Sequence, residues 1–212
     1  MKKNGFNQSR IDPCIFYKVQ NEQRTYIAIY VDDFLIVSNS VQSTKEIVDN
    51  LKKEYSINMN YGTQHDYLGM ALHFNQIDNT VSIMIPNYIE DILNENMIKT
   101  SSPSPASVNL FRTDKNAPTL NPDEKERFHT TTAQLLYLSK RTRPDIQLAV
   151  SFLTTRVDSP TLDDSQKLQK VVKYLKGTKD LPLVLRSSGG KISLSIYVDS
   201  VIPTCAPTQD HS

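Results

Sequence analysis

Apolar positions change their period partway along this chain. The early part is written in short runs that suit strands: Cys14-Ile-Phe-Tyr-Lys-Val, then Tyr26-Ile-Ala-Ile-Tyr-Val, then Phe34-Leu-Ile-Val. The polar run from Gln20 to Arg24 turns the chain between the first two. Asp32-Asp33 separates the second from the third, so the pattern predicts a hairpin with two acids at its tip. Ser43 and Glu46 have capping-box spacing, and Ile47, Val48, Leu51 and Tyr55 follow at helical intervals. Tyr67-Leu-Gly-Met-Ala-Leu-His-Phe and Thr80-Val-Ser-Ile-Met-Ile predict two further strands turned at Asp78-Asn79. Asn87 with Glu90 is expected to cap a second amphipathic helix carrying Tyr88, Ile89, Ile92 and Leu93.

The run from Lys99 to Asn121 loses periodicity. Pro103, Pro105 and Pro118 sit among serines and threonines there, and a domain boundary is expected within 99–124. Helical spacing then takes over. One helix is predicted over Phe128 to Lys140. A second runs from Pro144 to Arg156, with Ile146, Ala149, Val150 and Leu153 on one face. Thr161 is expected to cap a third, whose apolar face is Leu168, Val171, Val172 and Leu175, with Gly177 as the residue just past its end. Leu183-Val-Leu and Ile192-Ser-Leu-Ser-Ile-Tyr-Val read as closing strands. The stretch from Ile202 has no periodic pattern, and no internal repeat is evident.

Composition narrows the classes. With 212 residues, 38% hydrophobic and 22% charged, the chain has the makings of a folded core. A formal net charge of +1 means that any nucleic-acid surface is a local patch, not a global field. Cys14 and Cys205 are far apart and lack metal-ligand spacing, which suits free thiols in a reducing compartment. No apolar run is long enough to span a bilayer, and no signal-peptide pattern opens the chain, so a cytoplasmic protein without a membrane partner is expected. His65, His73, His129 and His211 share no ligand spacing, so none is assigned to a metal.

The informative tetrapeptide is Tyr30-Val31-Asp32-Asp33. Adjacent carboxylates repel each other unless water or a cation neutralises them. Mounted on a stiff β-ribbon, they suit a hard divalent cation such as Mg²⁺ or Mn²⁺, held for phosphoryl-transfer chemistry. The same residues also fit an ordinary hairpin with an acidic turn, and the tetrapeptide alone does not separate the two.

The surrounding residues add a resemblance. Tyr-X-Asp-Asp between apolar strands resembles polymerase motif C of reverse transcriptases, and Asp12-Pro-Cys-Ile-Phe-Tyr is similar to its copia-type lead-in. Tyr67-Leu-Gly-Met resembles the family's primer-grip strand. Thr142-Arg-Pro-Asp-Ile, preceded by Leu135-Leu-Tyr-Leu, and Lys173-Tyr-Leu-Lys-Gly-Thr are similar to copia-type segments further on. These matches keep the family's order and spacing from about Gly5 to Tyr197. The resemblance, to the copia-type LTR-retrotransposon Pol polyprotein, implies an α+β fold. A partial palm and the start of a thumb would occupy 1–98, and a linker 99–124. A helical connection would follow at 125–182, and a stub of a ribonuclease H sheet with an irregular tail at 183–212.

By the same resemblance Asp32 and Asp33 are metal ligands, and Asp199 stands where the first ribonuclease H carboxylate belongs. Tyr30 and Val31 would meet the primer terminus, and Tyr67, Leu68, Gly69 and Met70 would hold the primer strand. The implied partners are an RNA/DNA template-primer duplex and a dNTP, inside the cell or a virus-like particle. The residues leave alternatives open. Tyr67, Leu68 and Met70 fit plain strand core. Arg143 and Asp145 fit a helix start better than catalysis. Lys167, Lys170, Lys173 and Lys176 fit a solvated face better than a phosphate-binding one. Asp199 also fits a plain loop acid.

A palm needs a third carboxylate from motif A and the motif B segment, both of which belong upstream in the family. The expectation is therefore a chain that does not polymerise DNA alone. The departure after Asp199-Ser200 is expected to mark a decayed copy or a frameshift. A non-catalytic nucleic-acid-binding remnant and a pseudogene product without a role are the competing readings.

Overall fold

The computed structural model describes residues 1–187; the expected strand Ile192–Val198, Asp199 and Cys205 lie outside the described residues. The first sheet is antiparallel throughout, in the order β1 (Asn7–Gln8), β2 (Ile15–Gln20), β3 (Gln23–Tyr30) and β4 (Asp33–Ser38). β2 and β3 are joined by Asn21-Glu22, both at positive φ (48° and 64°), the backbone of a tight primed hairpin turn. Asn39 braces that end: its Oδ1 accepts the Arg24 N–H at 2.8 Å and its Nδ2 donates to the Glu22 carbonyl at 3.0 Å.

Helix α1 (Val41–Glu54) packs on β3 and β4, burying Val48 and Leu51 with Ile27 and Thr25. Its cap is Ser40, which accepts the Ser43 N–H at 3.2 Å, and not Ser43 as the spacing predicted. Both members of the expected box are engaged elsewhere. The Ser43 hydroxyl donates to Gln23 Oε1, and the Glu46 carboxylate accepts from Gln42. Tyr55, expected on the apolar face, is the exposed C-cap residue, because the backbone turns extended there.

The second sheet is β5 (Gln64–Tyr67), β6 (Met70–Asn75), β7 (Thr80–Met84) and β8 (Leu183–Arg186), again antiparallel in that order. The single strand expected over Tyr67–Phe74 is two strands. Leu68 and Gly69, at φ 52° and 74°, form a two-residue turn between β5 and β6. β5 reads Gln-His-Asp-Tyr, with no apolar alternation to announce it. β8, expected to open a further domain, pairs with β7, from Thr80 opposite Arg186 to Ile83 opposite Leu183.

Four helices accompany this sheet: α2 (Pro86–Glu95), α3 (Pro122–Arg141), α4 (Gln147–Thr154) and α5 (Leu162–Gly177). The expected Asn87 cap on α2 is absent. Pro86 fills the first helical position, and the cap residue Ile85 makes no side-chain bond. α3 begins at Pro122, ahead of the predicted Phe128. A full capping box holds it there, with Asn121 Oδ1 accepting the Glu124 N–H at 2.9 Å and Glu124 Oε2 accepting the Asn121 N–H at 3.1 Å. The stretch from Pro144 starts as a short 3-10 turn, Pro144–Ile146, before α4; its predicted apolar face is buried in full. Thr161 caps α5 as expected, in a box with Asp164. Gly177 is the last helical residue of α5, with Thr178 as the C-cap. A Cβ on it would stand 3.2 Å from the Ser101 side chain, so glycine serves close approach here and not a left-handed turn.

The aperiodic segment 99–121 is a strap, not a tether. It carries no helix or named strand, yet it is bonded along its length to the helices. Ser102 N–H donates to the Lys173 carbonyl, Leu120 N–H to the Pro160 carbonyl, and Leu162 N–H to the Pro118 carbonyl, all at 2.9–3.1 Å. Leu110 is buried in the core, which joins Ile89 and Ile92 of α2 to Leu135 of α3 and Val171 of α5. The boundary expected within 99–124 is therefore not a break in packing.

Candidate metal-binding hairpin

Tyr30 pairs with Asp33 as the last rung of the β3–β4 ladder, so Val31 and Asp32 are the two residues of the turn. Strand register puts Tyr26, Ala28, Tyr30 and Asp33 on one face and Thr25 and Ile27, which α1 covers, on the other. The acids therefore stand at the open end of a ribbon whose far face is anchored by a helix. Val31 takes φ 55°, unusual for a β-branched residue, and is 86% exposed, so neither intrinsic preference nor burial accounts for its conformation. The two-residue connection imposes it.

Both carboxylates are exposed, and neither has a hydrogen-bond or ion-pair partner among the described residues. Two free, hard carboxylates on a rigid mount fit Mg²⁺ or Mn²⁺. Asp32 and Asp33 are the residues able to hold such an ion. Among the described residues, no group of three or more His, Cys, Asp or Glu side chains is placed to hold a metal.

Burial pushes the Tyr67 phenol up from its ordinary pKa, and the charge of Asp33 and then Cys14 push the same way, which puts Tyr67 within electrostatic reach of the acidic ribbon. Tyr67, Leu68 and Met70 are half-buried and Gly69 is exposed, with Met70 packed against the helical core. His65 packs edge-to-face on Phe74 at 5.8 Å, and its Nε2 lies 2.9 Å from the Gly62 carbonyl.

Arg143 is 1% exposed, and each of its guanidinium nitrogens donates a hydrogen bond. Its Nε and Nη2 donate to Asp145 at 2.8–3.3 Å, and its Nη1 and Nη2 donate to the Thr178 carbonyl and hydroxyl at 2.9 and 2.6 Å. The guanidinium also lies over the Tyr174 ring at 5.5 Å. Burial of Asp145 acts to raise its pKa, but the hydrogen bonds and charge of Arg143 outweigh it, and the carboxyl is held below the usual range. The arrangement clamps the start of α4 to the C-terminal end of α5, where a cation also meets the helix dipole.

The lysines of α5 divide. Lys167 pairs with Asp163 at 2.8 Å and donates to the Arg112 carbonyl, and Lys176 donates to the Ile98 carbonyl at 2.7 Å. Lys167 thus holds the strap, and Lys176 holds the residue just ahead of it. Among the described residues no helix is long and apolar enough to cross a membrane.

The reverse transcriptase (RNA-dependent DNA polymerase) family matches residues 1–107, which contain both hairpins. Similar chains include the putative transposon Ty5-1 protein of Saccharomyces cerevisiae, 27% identical over 206 residues, covering 94% of this chain and 64% of that one. The retrovirus-related Pol polyprotein from transposon RE2 of Arabidopsis thaliana is 29% identical over 198 residues, covering 92% of this chain. The corresponding polyprotein from transposon TNT 1-94 of Nicotiana tabacum is 25% identical over 185 residues, covering 84%. The chain spans 13% and 14% of the length of these two plant polyproteins. No solved structure matches it. With half of its length matched and its relatives drawn from transposon Pol proteins, the chain belongs to the reverse transcriptase (RNA-dependent DNA polymerase) family, in the copia-type retrotransposon branch.

Proposed function

We propose that this chain carries the motif C part of an RNA-directed DNA polymerase, with Asp32 and Asp33 as ligands of Mg²⁺ or Mn²⁺. The observation that carries this reading is the pair of unpartnered carboxylates at the end of an anchored β-ribbon, inside the family-matched region. When bound, the ion supplies charge neutralisation for nucleotidyl transfer from a dNTP. Tyr30 and Val31, exposed beside the acids, meet the primer terminus. The turn Tyr67, Leu68, Gly69 and Met70 holds the primer strand of a template-primer duplex. The first sheet with α1 serves as the palm element, and α2 with the strapped helices as thumb and connection. Asp199 belongs to a following ribonuclease H segment, and the setting is intracellular.

Two carboxylates give too few fixed ligands to position metal ions for in-line attack, so the chain by itself does not extend a primer. The test has two parts. Paramagnetic relaxation with Mn²⁺ should detect binding that Asp32→Asn and Asp33→Asn each weaken, with the far-ultraviolet circular dichroism unchanged. A primed template with Mg²⁺ should show no extension. Mn²⁺ binding indifferent to both substitutions would overturn the metal reading, and extension abolished by Asp32→Asn would overturn the inactivity.

A further inference from the structure

The strap and α5 line an open cleft of about 410 Å³, within the range of small-ligand sites. Its wall is preformed. Leu110 is buried in the helical core, and the turns on either side of it close by Leu110 N–H to the Ser107 carbonyl (3.1 Å) and Arg112 N–H to the Asn109 carbonyl (3.0 Å).

The charges lining the cleft do not cancel. Lys167 and Asp163 neutralise each other at 2.8 Å, and Lys167 is further tied to the Arg112 carbonyl. Asp114 is turned onto its own backbone, with Oδ1 accepting the Asn116 N–H at 2.9 Å. Arg112 and Lys170 line the same cleft, and neither side chain has a hydrogen-bond or ion-pair partner among the described residues. Two uncommitted cations thus face one remaining carboxylate. The rest of the wall includes the neutral donors Ser107, Asn109 and Thr113.

We propose that this cleft binds a phosphate group, with Arg112 and Lys170 as its charged ligands. A guanidinium fork matches two oxygens of a phosphate, and an ammonium adds a point charge. The group can come from a free phosphate compound or from a polynucleotide backbone. No residue of the acidic hairpin lines the cleft, and the proposal does not depend on the polymerase reading.

The full chain is titrated calorimetrically with inorganic pyrophosphate, and with a nucleic-acid duplex over a salt series. Saturable pyrophosphate binding is expected, weakened about tenfold or more in an Arg112→Gln, Lys170→Gln double variant and in Lys170→Glu. The exposed pair Lys45→Gln, Lys52→Gln on α1 should leave it unchanged. If the backbone is the source, the slope of log affinity against log salt for duplex falls by about 1–2 in the double variant. If only pyrophosphate binding is lost, the source is a free phosphate compound. Absence of saturable pyrophosphate binding, or equal weakening by the control pair, overturns the proposal.

Discussion

Val31 concentrates the cost of presenting the two acids. A β-branched side chain at φ 55° forgoes roughly 1–2 kcal/mol relative to a residue that tolerates the left-handed region. Asparagine tolerates it, so Val31→Asn should raise unfolding free energy by about 1 kcal/mol in urea. Unchanged or lowered stability would mean the turn is not strained. Ala149, Val150 and Leu153, and Leu168, Val171, Val172 and Leu175, are buried as their spacing predicts, because a helix converts spacing into a face without outside help. Ser40 and Ser43 are both candidates for the α1 cap. Both can offer a hydroxyl, and the end of β4 at Ser38 decides where the helix can begin.

At the scale of elements, α5 is held at both ends by buried ionic contacts. Its C-terminal end is clamped by Arg143. At its start Asp164, fully buried, accepts from the Thr161 N–H and hydroxyl at 2.9 Å and from Arg156 at 3.1 and 3.3 Å. Burial acts to raise the Asp164 pKa, but the bonds from Arg156 and Thr161 prevail and hold it below the ordinary carboxylate value. A group whose folded pKa lies below its unfolded one contributes stability that is fully present above the unfolded value, about 4, and is lost as pH falls through the folded value. Asp145 acts in the same direction. Stability measured by denaturation should therefore decline on acidification below about pH 4. Asp164→Asn should be less stable at neutral pH and decline less steeply in acid. An Asp164→Asn variant with the full acid dependence of the parent would remove this residue from the account.

At the scale of the molecule, the strap decides which elements belong together. The core runs from α2 through Leu110 into α3, α4 and α5, and β8 closes onto β7 from beyond them. Native-state hydrogen exchange should therefore show amides of α2 opening together with those of α5, at a free energy distinct from the first sheet and α1. Exchange of α2 with the first sheet instead would show that the strap separates two bodies. Its proline-rich, aperiodic composition reads as a linker because its buried side chains, Leu110 foremost, follow no period and many of its bonds are made by its backbone. The Arg112 carbonyl accepts from Lys167 and the Ser102 and Leu120 N–H groups donate to the Lys173 and Pro160 carbonyls, and backbone groups leave no side-chain pattern.

The sequence alone determined the two-period layout, most helical faces, the Thr161 cap and the acidic hairpin between apolar strands. Each rests on interactions between neighbours a few positions apart, which residue order encodes directly. Tertiary structure decided the pairing of β8 with β7, the engagement of Lys167 by the strap and the full burial of Arg143. Those contacts join segments far apart in the chain, and their partners are selected by shape and charge only once the elements have packed.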